Sequence, residues 1–325
     1  MKSPIRRRLL QSFLGTACMG VALGAQAQQD YPSRTVRLVS PYAPGGSTGV
    51  VARILAKKFQ DQTGVSMVVE NRPGAASNIG SDHVAKSAPD GYTLLMGTSS
   101  LAINPTLYRR MSFDPIKDLT PVVPLITAPN VLAVDASLPI RSVKELIDYA
   151  RVNPGKLNYG SSGNGATNHM AMEMLKTMTG TQITHIPFKG GGEALTALLG
   201  GQIQLMFNPA VSLQQHHNTG RVRMLAVTTE KRVEGLSLPA LAETLPGFES
   251  SVWFGIFVPA NTPAPIVQKI NVEMNKALKD KEVLDLLAAN GMVPLGGSSE
   301  QMRSMLHNDT VRWGPVVKAS GATLD

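Results

Sequence analysis

Two short turns decide the reading of this chain: Pro41-Tyr42-Ala43-Pro44-Gly45-Gly46-Ser47-Thr48-Gly49 and Tyr159-Gly160-Ser161-Ser162-Gly163-Asn164-Gly165-Ala166-Thr167. Each follows a short apolar run and precedes a stretch with helical spacing, 50–59 after the first and 166–178 after the second. Small residues, hydroxyls and free main-chain N–H groups at a helix start attract anions such as carboxylate or phosphate. Neither turn holds a charged side chain, a cysteine or an evident catalytic group. Facing each other, the turns would clamp an anion. They would not make a reaction centre.

Around the turns, strand-like and helix-like runs alternate. Strands are expected at 35–39, 66–70, 93–97, 131–134, 184–188, 205–207 and 224–227, and 252–258 is a further apolar stretch. Helices are expected at 50–59, 78–86, 143–150, 166–178, 193–199, 266–279, 282–289 and 301–311. Ser142 with Glu145 three residues on reads as a capping box, and Ser298 or Ser299 caps the last helix. Repeated strand-turn-helix units argue for an α/β fold with a parallel, doubly wound sheet.

The N-terminus reads as a secretory signal. Lys2, Arg6, Arg7 and Arg8 form a basic start, 9–25 is largely apolar, and Ala25-Gln26-Ala27 is a cleavage site before Gln28. Arg7-Arg8 loosely matches a twin-arginine signal, so the export route stays open. An uncleaved anchor or a lipoprotein cut before Cys18, the only cysteine, are the alternatives. Cleavage at Ala27 leaves no thiol, hence no disulfide and no thiolate site. The formal net charge of +8 loses those four basic residues and becomes +4. No Lys/Arg block remains to track a phosphate backbone, so nucleic acid is not an expected partner. Roughly 300 residues exceed what one core usually covers, so two lobes are expected.

The residues also carry a resemblance. Tyr42-Ala43-Pro44-Gly45-Gly46-Ser47-Thr48 with Ala52-Arg53, then Asn71-Arg72-Pro73-Gly74-Ala75, Asn78-Ile79-Gly80 and Asp90-Gly91-Tyr92-Thr93-Leu94-Leu95 follow in order. Asn104-Pro105, Leu107-Tyr108, Tyr159-Gly160-Ser161 with Gly163, Gly165 and His169, Phe188-Lys189-Gly190-Gly191-Gly192 and Leu198-Leu199-Gly200-Gly201 continue the series. Together they resemble the Bug family, the periplasmic solute receptors of tripartite tricarboxylate transporters. The match covers nearly all of the chain after the signal. It departs from the family pattern at Gly49 and Asn208, where acidic residues are common, and at Gly74-Ala75-Ala76, which replaces a more glycine-rich version.

That resemblance implies a two-lobed periplasmic binding protein of the Venus flytrap kind. Each lobe would be a mostly parallel sheet flanked by helices, joined by two crossover strands near 122–130 and 250–258. The signal would span 1–27, the first lobe 28–127 plus 252–325, and the second lobe 128–251. Family members bind small carboxylates, among them di- and tricarboxylates, acidic amino acids and aromatic acids, and deliver them to membrane permease subunits. A monomer without a cofactor is expected.

One ligand carboxylate is expected on the N–H groups around Gly46, Ser47 and Thr48, with the other end at Ser161, Ser162, Gly163 and Thr167. Tyr42, Gly45, Ser99, Gly165, Lys189 and Asn208 complete the expected ligand-binding set, with no catalytic and no metal-binding residue. Ser99 is either a cleft residue or a plain strand end, and Lys189 either reaches the ligand or is a surface lysine. His169 and His185 read as structural, and Trp253 and Phe254 as cleft wall or core. A hydrogen bond to a charged group contributes roughly 1.5–3 kcal/mol, and micromolar binding needs about 8 kcal/mol. A few such contacts suffice without arginine.

Two rival classes remain. An enzyme would need more than the residues offer. Gly163-Asn164-Gly165 is not completed by a third glycine at Asn168, and Gly160-Ser161-Ser162-Gly163 is one residue short of a nucleophile elbow. A periplasmic sensing partner would use the same site as a transport receptor.

Overall fold

A computed structural model describes residues 31–233 and 235–324. The basic leader, the Ala27 cleavage site and Cys18 lie outside the described residues. The strands are β1 (Val36–Ser40), β2 (Met67–Asn71), β3 (Thr93–Thr98), β4 (Leu119–Asp135), β5 (Asn158–Ser161), β6 (Thr184–Pro187), β7 (Leu205–Pro209), β8 (Val222–Val227), β9 (Ser251–Pro259) and β10 (Val293–Pro294). The helices are α1 (Ser47–Thr63), α2 (Asn78–Ala85), α3 (Ser100–Leu107), α4 (Val143–Val152), α5 (Thr167–Thr179), α6 (Gly191–Leu199), α7 (Ala210–Asn218), α8 (Ala264–Ala277), α9 (Lys281–Ala289) and α10 (Ser299–Ser320).

The sheet runs β2-β1-β3-β9-β4-β7-β5-β6, with β8 and β10 also paired to β4. Its outer strands pair in parallel, β2 with β1, β1 with β3, β7 with β5 and β5 with β6. The strands around β4 and β9 pair antiparallel. The parallel doubly wound sheet expected from the alternation therefore has an antiparallel middle. That middle comes from β9, which returns late in the chain to lie between β3 and β4.

β4 is one unbroken strand of 17 residues, although Pro121, Pro124 and Pro129 interrupt its run of ladder donors. Register shifts against β9 fall between Pro121 and Val123 and between Pro124 and Ile126. Such bulges are where a strand tolerates proline. Toward its end β4 alternates strictly: Val131 and Ala133 face one core, Leu132 and Val134 the other. On one half of the sheet, α1 and α8 cover one face and α3 and α10 the other. On the other half, α4 and α5 cover one face and α6 and α7 the other. The result is a two-lobed α/β architecture.

Several helices depart from expectation for identifiable reasons. α3 has no counterpart among the expected helices; it forms with Pro105 inside it, and its Leu101, Ile103 and Leu107 are buried. α7 has only Ala210 and Leu213 as buried residues, too few to show a period. α10 continues past 311 through Gly314 and Pro315, because Trp313 and Val317 pack into the same core as α3. Ser298 forms the complete capping box with Gln301. At α4, Ser142 caps the N–H of Glu145, but the Glu145 carboxylate accepts the N–H of Arg141.

Where the chain crosses between the halves, Thr228 ties three segments together. Its N–H donates to the Asn130 carbonyl (2.9 Å), its Oγ1 accepts the Asn130 N–H (3.0 Å), and its carbonyl accepts the Ser250 N–H (2.8 Å). The Thr228 hydroxyl also contacts the Ser250 carbonyl. Thr228→Val keeps the shape and strands the buried Asn130 N–H. Urea denaturation is expected to show a loss of about 1–3 kcal/mol.

Candidate functional site

The C-terminal ends of β1, β5 and β7 lead into loops that open helices toward one cavity between the halves. Its lining comprises Tyr42, Gly46, Ser47, Thr48, Thr98, Asn130, Ser162, Ala166, Thr167, Asn168, Gly191, Asn208, Pro209, Val252 and Phe254. A crevice beyond the carboxyl ends of strands is where open α/β sheets bind ligands. The space is about 480 Å³ counting its mouth and the open solvent there. Every lining residue is uncharged.

Four helices present their N-termini to this cavity. α1 does so through Gly46, Ser47 and Thr48, and α5 through Ala166, Thr167 and Asn168. α6 contributes Gly191 and α7 its N-cap Pro209. The first N–H groups of a helix have no intrahelical acceptor. At α1 the N–H groups of Gly49 and Val50 return to the Gly46 carbonyl, which leaves those of Ser47 and Thr48 for a ligand. At α5 the Met170 N–H returns to Ala166, which leaves those of Thr167 and Asn168.

The second turn is more self-contained than its sequence suggests. The Ser162 N–H donates to Asn168 Oδ1 (3.1 Å), and Asn168 Nδ2 donates to Ser162 Oγ (3.0 Å) and to the Phe207 carbonyl (3.1 Å). Gly163 N–H donates to Ser161 Oγ (3.1 Å), and Gly165 N–H to His169 Nδ1 (3.1 Å). Of this turn, Ser162 keeps its hydroxyl proton for the cavity. The N–H groups of Ser162, Gly163 and Gly165 hold the turn's own shape, and the donors for a ligand move to the first turn of α5.

Of the expected set, Tyr42, Gly46, Ser47, Thr48, Ser162, Thr167 and Asn208 line the cavity together. The buried Tyr42 hydroxyl is held by Ser100 Oγ (2.8 Å) and Thr98 Oγ1 (3.3 Å), and burial pushes its pKa up, so it stays neutral. The other six lie elsewhere. Ser99 is fully buried and its Oγ accepts the Trp253 N–H (2.9 Å), so it is a strand-end residue. Ser161 is buried beneath the loop, with its Oγ 2.6 Å from His185 Nε2. Gly165 lies so close to α3 that a Cβ there would come 2.5 Å from Asn104 Oδ1 and Leu107 Cδ2. Gly45 faces Gly192 across the gap between the halves. Gly163 and Lys189 line an adjoining cavity that shares Tyr42 and Ser162 with the first. The Lys189 side chain is exposed, and its carbonyl accepts the Ala43 N–H from the opposite half (3.4 Å).

The sequence reading passed over Thr98, Asn130, Asn168 and Gly191. Asn130 had a signal, a lone amide in the middle of the apolar run 119–135. Gly191 had another, the middle of three glycines. Phe254 walls the cavity, whereas Trp253 donates its Nε1–H to Asp309 (2.6 Å) in the core.

Beneath the second turn stands a stacked column. The rings of Tyr159 and His185 are 4.6 Å apart and those of His185 and His169 4.2 Å. Glu173 accepts from the Tyr159 hydroxyl (2.6 Å) and from Lys176 (2.7 Å), and its Oε1 lies 4.0 Å from His169 Nε2. Burial lowers His169 to about 4, with Lys176 adding to it. Burial and the neighbouring His169 lower His185 to about 3. Both imidazoles are neutral at ordinary pH, which lets His169 Nδ1 accept the Gly165 N–H.

A two-lobed α/β chain with an uncharged, donor-rich cavity beyond its strand ends belongs to the class of periplasmic binding proteins. Within that class, residues 51–322 match the tripartite tricarboxylate transporter family receptor, and the chain belongs to that family. It is 35% identical to the protein BugT of Bordetella pertussis over 96% of each chain. Its structure is similar to that of an R. palustris protein solved with adipate, at 39% identity and TM-score 0.88, covering 91% of this chain and 100% of that one. It is also similar to MatC from Rhodopseudomonas palustris with bound malate, at 30% identity and TM-score 0.81, covering 88% and 100%. The family and these neighbours are binding proteins, not enzymes. Among the described residues no helix is long and apolar enough to cross a membrane.

The buried imidazoles set an acid dependence of stability. On unfolding, each regains a pKa near 6.5 and takes up a proton below that pH. Stability from this source is therefore complete above about pH 6.5, falls as the pH drops toward 4, and levels off below about 3. Calorimetric Tm values between pH 7 and pH 4 are expected to fall more steeply for the native chain than for His185→Gln.

Proposed function

We propose that this protein closes on a small organic carboxylate and hands it to the membrane permease of a tripartite tricarboxylate transporter. In this reading it is exported, loses residues 1–27 and works as a monomer outside the cytoplasm. Its lobes are 28–127 with 252–325 and 128–251, and they hinge where β4 and β9 cross. The ligand carboxylate lies between Ser47 and Thr48 of one lobe and Thr167 and Asn168 of the other.

The observation that carries this reading is the convergence of helix N-termini from both halves on one cavity without a charged side chain. Each helix end favours an anion by about 0.3–1 kcal/mol, more when partly buried. Neutral donors bind a carboxylate without a buried cation to neutralise when the site is empty, which suits a carrier that must also release. The adipate and the malate in the structures of two similar proteins support a carboxylate as the ligand.

A thermal-shift screen with mono-, di-, tricarboxylic and aromatic acids is expected to raise the Tm with at least one of them, because a ligand that binds the native state stabilises it. No rise with any acid rejects the reading. Ser47→Pro removes one N–H at the first position of α1, where proline fits a helix. Gly46 before it is already extended (φ −84°, ψ 168°), as a residue preceding proline must be. Calorimetric affinity for the identified acid is expected to weaken about 10–100-fold, with the fold retained.

A further inference from the structure

We propose that the cavity adjoining the first is the far half of the ligand site, and that Lys189 at its mouth takes the second carboxylate of an elongated dicarboxylate. The inference rests on the carboxylate-receptor reading. It narrows that reading to acids whose two carboxylates stand far enough apart to occupy both cavities.

The two cavities differ in room. The space open to the centre of a water-sized sphere is about 50 Å³ in the first and about 220 Å³ in the second. One water needs on the order of 10–15 Å³ by this measure. The first cavity therefore takes a carboxylate and little more, and the body of a larger acid has to extend out of it. Tyr42 and Ser162 line both cavities, so the two meet at these residues. Gly74, Ala75, Ala76 and Gly163 are among the walls of the second, and their lack of bulk makes its room. Both halves of the molecule contribute to those walls, 74–77 with Tyr108 from one and 162–164 with 187–189 from the other.

The cavities also differ in charge. Every residue lining the first is uncharged, and of the residues lining the second Lys189 alone carries a charge. Its side chain is exposed, and among the described residues its ammonium forms no ion pair. Its main chain is fixed. The Lys189 N–H donates to Glu193 Oε2 (3.1 Å), and its carbonyl accepts the Ala43 N–H from the opposite half (3.4 Å). These bonds hold the residue at the mouth of the cavity and leave its flexible stem free to bring the ammonium to an anion.

A dicarboxylate with one end on the helix N-termini and the other at Lys189 uses the neutral and the charged end of the site together. It also links the halves, because Ser47 and Thr48 belong to one and Lys189 to the other. An ion pair this exposed gains only a few-fold in affinity. Lys189 therefore selects among acids that the backbone donors already hold.

The test titrates the purified protein by calorimetry with malonate, succinate, glutarate, adipate, pimelate and suberate, each beside the monocarboxylate of the same carbon number. The two carboxylates of malonate share one carbon and cannot occupy both cavities. At least one longer dicarboxylate is expected to bind about 10-fold tighter than malonate and about 3–5-fold tighter than its own monocarboxylate. In Lys189→Met that second ratio is expected to fall below about 2-fold, and Lys189→Arg is expected to keep it. Malonate binding as tightly as every longer member overturns the inference, and so does a ratio that Lys189→Met leaves unchanged. In both cases the carboxylate receptor stands. Binding of no member of the series overturns the inference too, and the receptor reading is then decided by the separate acid screen. The Lys189 side chain is exposed, so both variants are expected to fold, and the Tm of each free protein checks this. The chain-length series on the native protein reads the same site without any variant.

Discussion

The first N–H groups of a helix cannot be satisfied inside the helix. Here α1, α5, α6 and α7 direct that deficit at a single space. A large share of the remaining architecture keeps those ends convergent. Parallel outer strands bring chain after chain to the same edge of the sheet, and the loops that leave β1, β5 and β7 turn directly into helices. The result is a site whose positive potential belongs to the backbone. No arginine or lysine is needed to hold an anion, and none lines the cavity.

Convergence across two halves requires that the halves approach closely, and the glycines mark where they do. Gly165 lies against Asn104 and Leu107, and Gly190 and Gly192 lie against Ala43 and Gly45. The Ala43 N–H reaches the Lys189 carbonyl, and the Tyr108 hydroxyl reaches the Asn164 carbonyl (3.4 Å). These contacts are made by main chain on one or both sides. Thr228, Asn130 and Ser250 tie the crossing strands firmly at the base of the same gap. Asn130 belongs both to this crossing and to the cavity lining, with its main chain fixed by Thr228.

The second turn shows how a polar loop is kept rigid without charge. Asn168 spans Ser162 and Phe207, and the neutral rings of His169 and His185 receive or meet the groups of Gly165 and Ser161. Buried imidazoles serve here because a neutral ring offers both an acceptor and a flat face to stack. Glu173, Lys176 and Tyr159 complete the column behind them.

By itself the sequence determined the α/β class, the two anion-seeking turns, the family and the absence of a charged clamp in those turns. Each of these depends on local chemistry: period-two apolar runs, glycines at turns, and small polar residues at helix starts. Only the tertiary structure decided which donors remain free. Ser161, Gly163 and Gly165 read as ligand residues, but hydrogen bonds to one another and to His185 and His169 consume their polar groups. The same holds for Ser99, whose hydroxyl is taken by Trp253, more than 150 residues away. Asn130, Thr98 and Gly191 enter the site because strands distant in sequence are neighbours in the sheet. α10 outruns its own proline for a related reason, since Trp313 and Val317 find a core that no local pattern announces. Local rules describe what a segment can offer; the packing of other segments around it fixes what is left to give.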